Sequence, residues 1–140
     1  MRLSALVEIS DRALDVAAHE AAVDSPQGGA RVVFCGVVRD HDQDREVTEL
    51  EYQAHPSAAR VLAEVAAEIR ADPRVLGLAV SHRVGTLAVG DVALVAAVAC
   101  AHRSAAFEVC ARLVDEVKHR LPIWKRQVFA DGTDEWVNCP

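Results

Sequence analysis

The stretch ARVVFCGVVR, Ala30 to Arg39, is uncharged apart from its two arginines and rich in β-branched side chains. A continuous apolar run of this length, without polar alternation, reads as a buried strand that ends at Arg39. Such a strand cannot stand alone. The rest of the chain must supply the layers that cover it.

Those layers are legible in the flanking patterns. Leu3, Ala5, Val7 and Ile9 alternate as in a half-buried strand. SDRALDVAAHEAAV then opens with Ser10 or Asp11 as an N-cap and continues as a short helix. VTELEYQA alternates again and is expected to pair with the preceding strand. PSAARVLAEVAAEIR lies between Pro56 and ADPR and forms a helix whose Val61, Val65, Ala66 and Ile69 share one face.

VLGLAVSHRVG and DVALVAAVACAH give two more strands joined by TLAVG. Ser104 caps a long helix to about Leu121, with the stripe Phe107, Cys110, Val114, Val117 and Leu121 turned inward. Pro122 ends it, and two short strands follow around the turn DG. The order predicts an α+β fold, helices packed on a mainly antiparallel sheet. At 140 residues, one domain spanning 1–140 buries about two-thirds of its unfolded surface.

Charge narrows the partners. The formal net charge of -6 argues against nucleic acid, whose binding rests on phosphate neutralisation. Yet His102 to Gln127 holds six Arg or Lys against three acidic residues, while Met1 to Ala101 holds nine against fifteen. A local basic segment on an acidic chain suits a small anion or an acidic tail. No apolar run reaches membrane-spanning length and the N-terminus meets charges too early for a signal peptide, so no membrane partner and a cytoplasmic location are expected.

Within that basic segment stand both lysines of the chain, Lys118 and Lys125, against thirteen arginines. A lysine can lose its proton where an arginine cannot, and two ammonium groups that converge after Pro122 would depress one another. The helix dipole alone would favour cations in the last turn, so Lys118 also has a plain structural explanation. Trp124 beside Lys125 is a candidate shield. His102 and Arg103, with the free N–H groups at the start of the long helix, make an anion site. His82-Arg83 and Arg39, also near strand ends, are further candidates.

Metal sites find little support. Asp40, Asp42, Asp44 and Glu51 match calcium-loop positions, but Arg45 stands where the loop needs glycine. The histidines and cysteines lack zinc spacing. No phosphate-cradling glycine motif is present, and Cys35, Cys100 and Cys110 read as small packing residues. No metal and no cofactor are expected.

FCGVVRDH, VTELEYQAHPSAA, VSHRVGTLAVGD, AHRSAAFEVCARLVDEVKHRLPIWKRQ and DEWV, in this order from about Ala30 to Val137, resemble the large, catalytic subunits of molybdopterin synthase. The resemblance implies an α/β hammerhead fold and a homodimer that binds a small ubiquitin-like sulfur-carrier subunit on each protomer, giving a heterotetramer. It also implies a sulfurtransferase. The small subunit's C-terminal thiocarboxylate donates sulfur to cyclic pyranopterin monophosphate, and two transfers make the molybdopterin dithiolene of molybdenum cofactor biosynthesis.

By position, Lys118 and Lys125 match the family's active-site lysines, and Arg39, His102 and Arg103 match residues lining its anionic substrate pocket. Gln127 stands where the family commonly has Glu, and Gln43-Asp44 lacks a glycine often found there. A module that docks a ubiquitin-like tail without catalysis is the alternative. An acid-base enzyme acting on a phosphate ester would need a carboxylate base near His102, which the sequence does not designate.

Overall fold

The computed structural model describes residues 6–138. In chain order the elements are β1 (Val7–Ser10), α1 (Val16–Ala22), β2 (Ala30–Val37), β3 (His41–Asp42), β4 (Arg45–Ala54) and α2 (Ala58–Arg70). Then come β5 (Gly77–Arg83), β6 (Gly85–Ala88), β7 (Val92–Cys100), α3 (Arg103–Arg120), β8 (Ile123–Phe129) and β9 (Asp134–Asn138). Leu3, Ala5 and Cys139 lie outside the described residues.

The strands divide into two sheets. The first runs β1-β5-β7-β2, antiparallel except for the parallel pair β1–β5. The second runs β3-β4-β8-β9, with β6 also paired to β4. The expected α+β architecture of mainly antiparallel strands and packed helices therefore stands.

In the first sheet α2 and α3 cover one face, and α1 lies against β5, β7 and β2. This sandwiching explains why the interior strands are apolar without alternation: Ala93 to Cys100 of β7 are all buried. The main core joins Leu62, Val65 and Ile69 of α2, Leu113 and Val117 of α3, and Leu78, Val80 and Leu94 of the sheet. Each such side chain contributes about 1.5–3 kcal/mol over an exposed one. On the α1 side the contacts are small: Val23 packs on Ala79, Ala97 and Ala99. A Cβ at Gly77 would meet Val23 Cα and carbonyl O at 2.8 Å, so the approach of α1 requires glycine there.

Several expectations are corrected. β4 does not pair with β2; β2 pairs with β7, and β4 joins β8 and β6. An irregularity at Gly36/Val37 and the bond from Val38 N–H to Asp91 O carry the chain out of the first sheet before β4 begins. TLAVG is more than a connection, because Gly85–Ala88 is the strand β6.

The α1 cap is Asp15, whose carboxylate accepts from Ala18 N–H at 3.1 Å; Ser10 is held in β1 opposite Arg83. The N-cap of α3 is His102, with no side-chain cap bond, rather than Ser104. Phe107 is 62% exposed because the inner face of α3 follows Ala106, Val109, Cys110, Leu113 and Val117. On α2 the fully buried residue is Leu62; Val61 is half-buried.

Candidate functional site

The cation-bearing segments meet at a cavity bordered by residues of both sheets. α3 delivers Lys118 in its last turn, where neighbouring His119 and Arg120 suit the negative end of the helix dipole. Leu121 and Pro122 then turn the chain into β8. The strand's period of two puts Ile123, Lys125, Gln127 and Phe129 on one face, with Trp124 on the other. Trp124 is 41% exposed and does not shield Lys125. Lys125 sits opposite Tyr52 of β4.

A cavity of about 260 Å³ results, lined by Arg39, Asp42, Lys118, Lys125, Gln127 and His82 among others. Three of the five candidate residues thus border one space. Asp42 is the one carboxylate among its described lining residues, against Arg39, Lys118 and Lys125. The cavity's net charge therefore favours an anion.

Asp42 is held at both oxygens. Gln127, 3% exposed, donates its Nε2 to Asp42 Oδ2 at 3.0 Å, and the Arg39 guanidinium lies 3.7 Å from Oδ1. The hairpin carrying Asp42 turns through Gln43 and Asp44, with φ of +50° and +64°. Two consecutive left-handed residues are the geometry of a two-residue I′ hairpin, which favours glycine at its second central position. Here Asp44 takes that place.

His82 enters the cavity from the end of β5. It is 6% exposed, its Nδ1 is 2.7 Å from the Arg83 carbonyl, and its ring meets Tyr52 edge-on with centroids 5.0 Å apart. Burial, with the Lys118 charge adding to it, pushes its pKa down to about 4. Arg83 instead pairs with Asp91 at 3.3 Å. The His-Arg dipeptide is thus no surface strand end.

His102 and Arg103 are exposed at the opposite end of α3. Fifteen residues separate Arg103 from Lys118, about 22 Å along a helix rising 1.5 Å per residue. Within one chain they do not border the cavity. Cys100 and Cys110 are buried, and burial pushes the Cys110 thiol up to about 11, away from thiolate chemistry. Among the described residues no cluster of three His, Cys, Asp or Glu could hold a metal ion, and no helix is long and apolar enough to cross a membrane.

The family model described as MoaE protein matches residues 9–120, most of the chain and all but β8 and β9 of the site's framework. The chain belongs to the MoaE family. Among MoaE relatives, the molybdopterin synthase catalytic subunit of Nostoc sp. is 42% identical over 120 residues, covering 84% of this chain and 73% of the relative. The crystal structure of molybdopterin synthase from Staphylococcus aureus superposes with a TM-score of 0.86 at 29% identity, covering 94% of this chain and 96% of that one. A complex of subunits 1 and 2 of molybdopterin-converting factor from Helicobacter pylori shares the fold, with a TM-score of 0.72 at 21% identity and coverage of 94% and 88%.

Two residues of this MoaE cavity, Asp42 and Gln127, escape sequence reasoning, and a third, His82, is a candidate there without a direction. Asp42 was read only as a calcium-loop position, Gln127 only as a departure from the family, and His82 as one of a pair of strand-end residues. The contact between Asp42 and Gln127 spans 85 positions and leaves no local signal. His82 lies on a strand covered on both faces, so alternation could not reveal which way it points.

Proposed function

We propose that this chain is the catalytic, sulfur-transferring subunit of a molybdopterin synthase, acting with a small ubiquitin-like partner on cyclic pyranopterin monophosphate. The observation that carries the reading is the convergence of the chain's only two lysines, with Arg39, on one cavity. A Gly-Gly tail ending in a thiocarboxylate is anionic, and suits the charge of that space.

In the reaction the tail's sulfur bonds to a carbon of the substrate as that carbon's bond to an oxygen substituent breaks, and the departing oxygen takes up a proton. Water then adds to the acyl carbon, the acyl C–S bond breaks, the tail leaves as a carboxylate, and sulfur remains on the product. Negative charge builds on the acyl oxygen during the second step. Lys118 and Lys125 stabilise it and pass protons, while Arg39 holds the substrate's phosphate.

His102 and Arg103 serve the same anion from a second copy of the chain, because a distance of about 22 Å along a helix bars them from their own cavity. Phe107, one turn from Arg103, is exposed beside an apolar depression of about 370 Å³ lined by Val32, Phe34, Cys110 and Val114, a surface suited to a homodimer. With one small subunit per protomer the assembly is a heterotetramer. Its place is the cytoplasm.

The deciding experiment is a single-turnover assay with thiocarboxylated small subunit and cyclic pyranopterin monophosphate, for wild type and Lys118→Arg. Dithiolene product from wild type, with almost none from Lys118→Arg, is the expected result. Equal product from both would mean that positive charge suffices at this position. None from either would favour a module that docks the tail without catalysis.

A further inference from the structure

The outer edge of β2 is left open within one copy of the chain. The strand pairs with β7 alone, and from Val32 to Val37 it carries neither a charge nor a proline, the features that normally blunt an edge. Beside it on α3, Arg103, Phe107, Ala111 and Asp115 are all exposed and follow one another at four-residue intervals, which makes them a single ridge of the helix. The ridge reads cation, apolar, apolar, anion. Among the described residues the Arg103 guanidinium and the Asp115 carboxylate have no hydrogen-bond or ion-pair partner.

Such a ridge is complementary to itself when two copies run antiparallel. A two-fold axis between Phe107 and Ala111 sets the large side chain of each copy against the small one of the other and brings Arg103 to the partner's Asp115. The strand beneath has the same centre. Cys110 Sγ contacts the Ala96 carbonyl at 3.8 Å, and Ala96 is the register partner of Phe34, so the middle of α3 lies over the middle of β2. One axis therefore serves both elements, and β2 meets the β2 of a second copy antiparallel, edge to edge. The depression of about 370 Å³, lined by Val32, Phe34, Phe107 and Asp115 among others, is then covered by the helix of that copy.

We propose that two copies of the chain join through the open edge of β2 and the exposed ridge of α3, with Arg103 of each copy paired to the partner's Asp115. This rests on the homodimer read above and adds its axis and the contact that fixes it. The consequence lies at the cavity. Asp115 stands three residues before Lys118, one turn back along the same side of α3. An arginine held on that carboxylate arrives beside Lys118, which lines the cavity. A guanidinium has five N–H donors, so a pair with one carboxylate leaves others for an anion there.

Exchanging charges across the axis tests the contact. Analytical ultracentrifugation over a dilution series of the full chain gives the dimer dissociation constant. Asp115→Arg sets two guanidinium groups against each other at both ends of the interface, and Arg103→Asp sets two carboxylates; each should weaken the dimer about tenfold or more. Both positions are exposed, and the variants should fold as wild type does. Arg103→Asp combined with Asp115→Arg restores opposite charges and should return the constant to within about threefold of wild type.

Hydrogen exchange tests the strand. The outward-facing amides of β2 should exchange about tenfold or more slowly at concentrations that hold the dimer than after dilution to the monomer. Single substitutions that leave the dimer intact, or a double one no better than either, would overturn the pairing of Arg103 with Asp115. Amides of β2 indifferent to dimerisation would overturn the edge contact. In both cases the homodimer would stand, built on another face. A wild type that sediments as a monomer at every concentration would refute the homodimer itself, and this interface with it.

Discussion

Replacing Asp42 by alanine removes the acceptor of a buried amide. Gln127 is 3% exposed and its Nε2 gives its hydrogen bond, at 3.0 Å, to Asp42 Oδ2. Orphaning a donor of this kind, bonded to a charged group, costs about 1.5–3 kcal/mol. The adjoining cavity lets water reach part of the site, which lowers the figure to about 1–2 kcal/mol. The Arg39 pair adds little: its separation is 3.7 Å and the Arg39 side chain is 69% exposed, a geometry worth at most about 0.5 kcal/mol. For 140 residues the unfolding entropy is about 0.3 kcal/mol/K, so Asp42→Ala should lower Tm by about 3–7 °C. Asp42→Asn keeps an acceptor oxygen for Gln127 and should stay within about 2 °C of wild type. Urea and thermal unfolding of the three proteins measure both. Equal losses for alanine and asparagine, or none for either, would refute the account of Gln127 as a donor that needs Asp42. Both variants also remove the carboxylate from the cavity and should bind the anionic tail more tightly, which titration calorimetry reads directly.

Phe107→Asp places a charge on the exposed apolar face of α3 and should raise the dimer dissociation constant by about tenfold or more, seen by analytical ultracentrifugation. An unchanged association state would remove this face from the proposed homodimer. Asp44→Gly relieves a left-handed residue with φ of +64° at the hairpin tip; after the extra flexibility of the unfolded chain is counted, it should stabilise by about 0.5–1 kcal/mol in urea titration. A destabilised variant would mean that the Asp44 side chain contributes more than its backbone costs.

The sequence disclosed what short-range physics controls. Lys118 and Lys125 could be placed at a helix end and on the following strand because the period of α3 and the break at Pro122 are local properties. β7 announced its burial through an unbroken apolar run; β2, equally apolar and expected to be buried, is instead the edge strand of its sheet, half-buried at best and with Val37 48% exposed, because only one neighbour, β7, pairs with it. The separation into two sheets was hidden, because the choice of β8 over β2 as the partner of β4 is decided by residues some 75 positions apart and by an irregularity at Gly36/Val37. The α1 start moved from Ser10 to Asp15 because β1 claimed Ser10 first, a tertiary demand that outranks local capping preference. Phe107 had the spacing of a core residue but lies just off the face that the sheet reaches.

The straight span of α3 has a genetic corollary. Its two ends belong to different sites in the proposed dimer, Lys118 to its own and Arg103 to its neighbour's. A chain lacking Lys118 and a chain lacking Arg103 are then each inactive alone, but a mixed pair contains one centre damaged twice and one wholly intact. Co-expressed, the two defective alleles would complement, restoring about a quarter of all centres if subunits pair at random. Two alleles damaged at Lys118 and Lys125, residues that stay with one chain, would restore nothing.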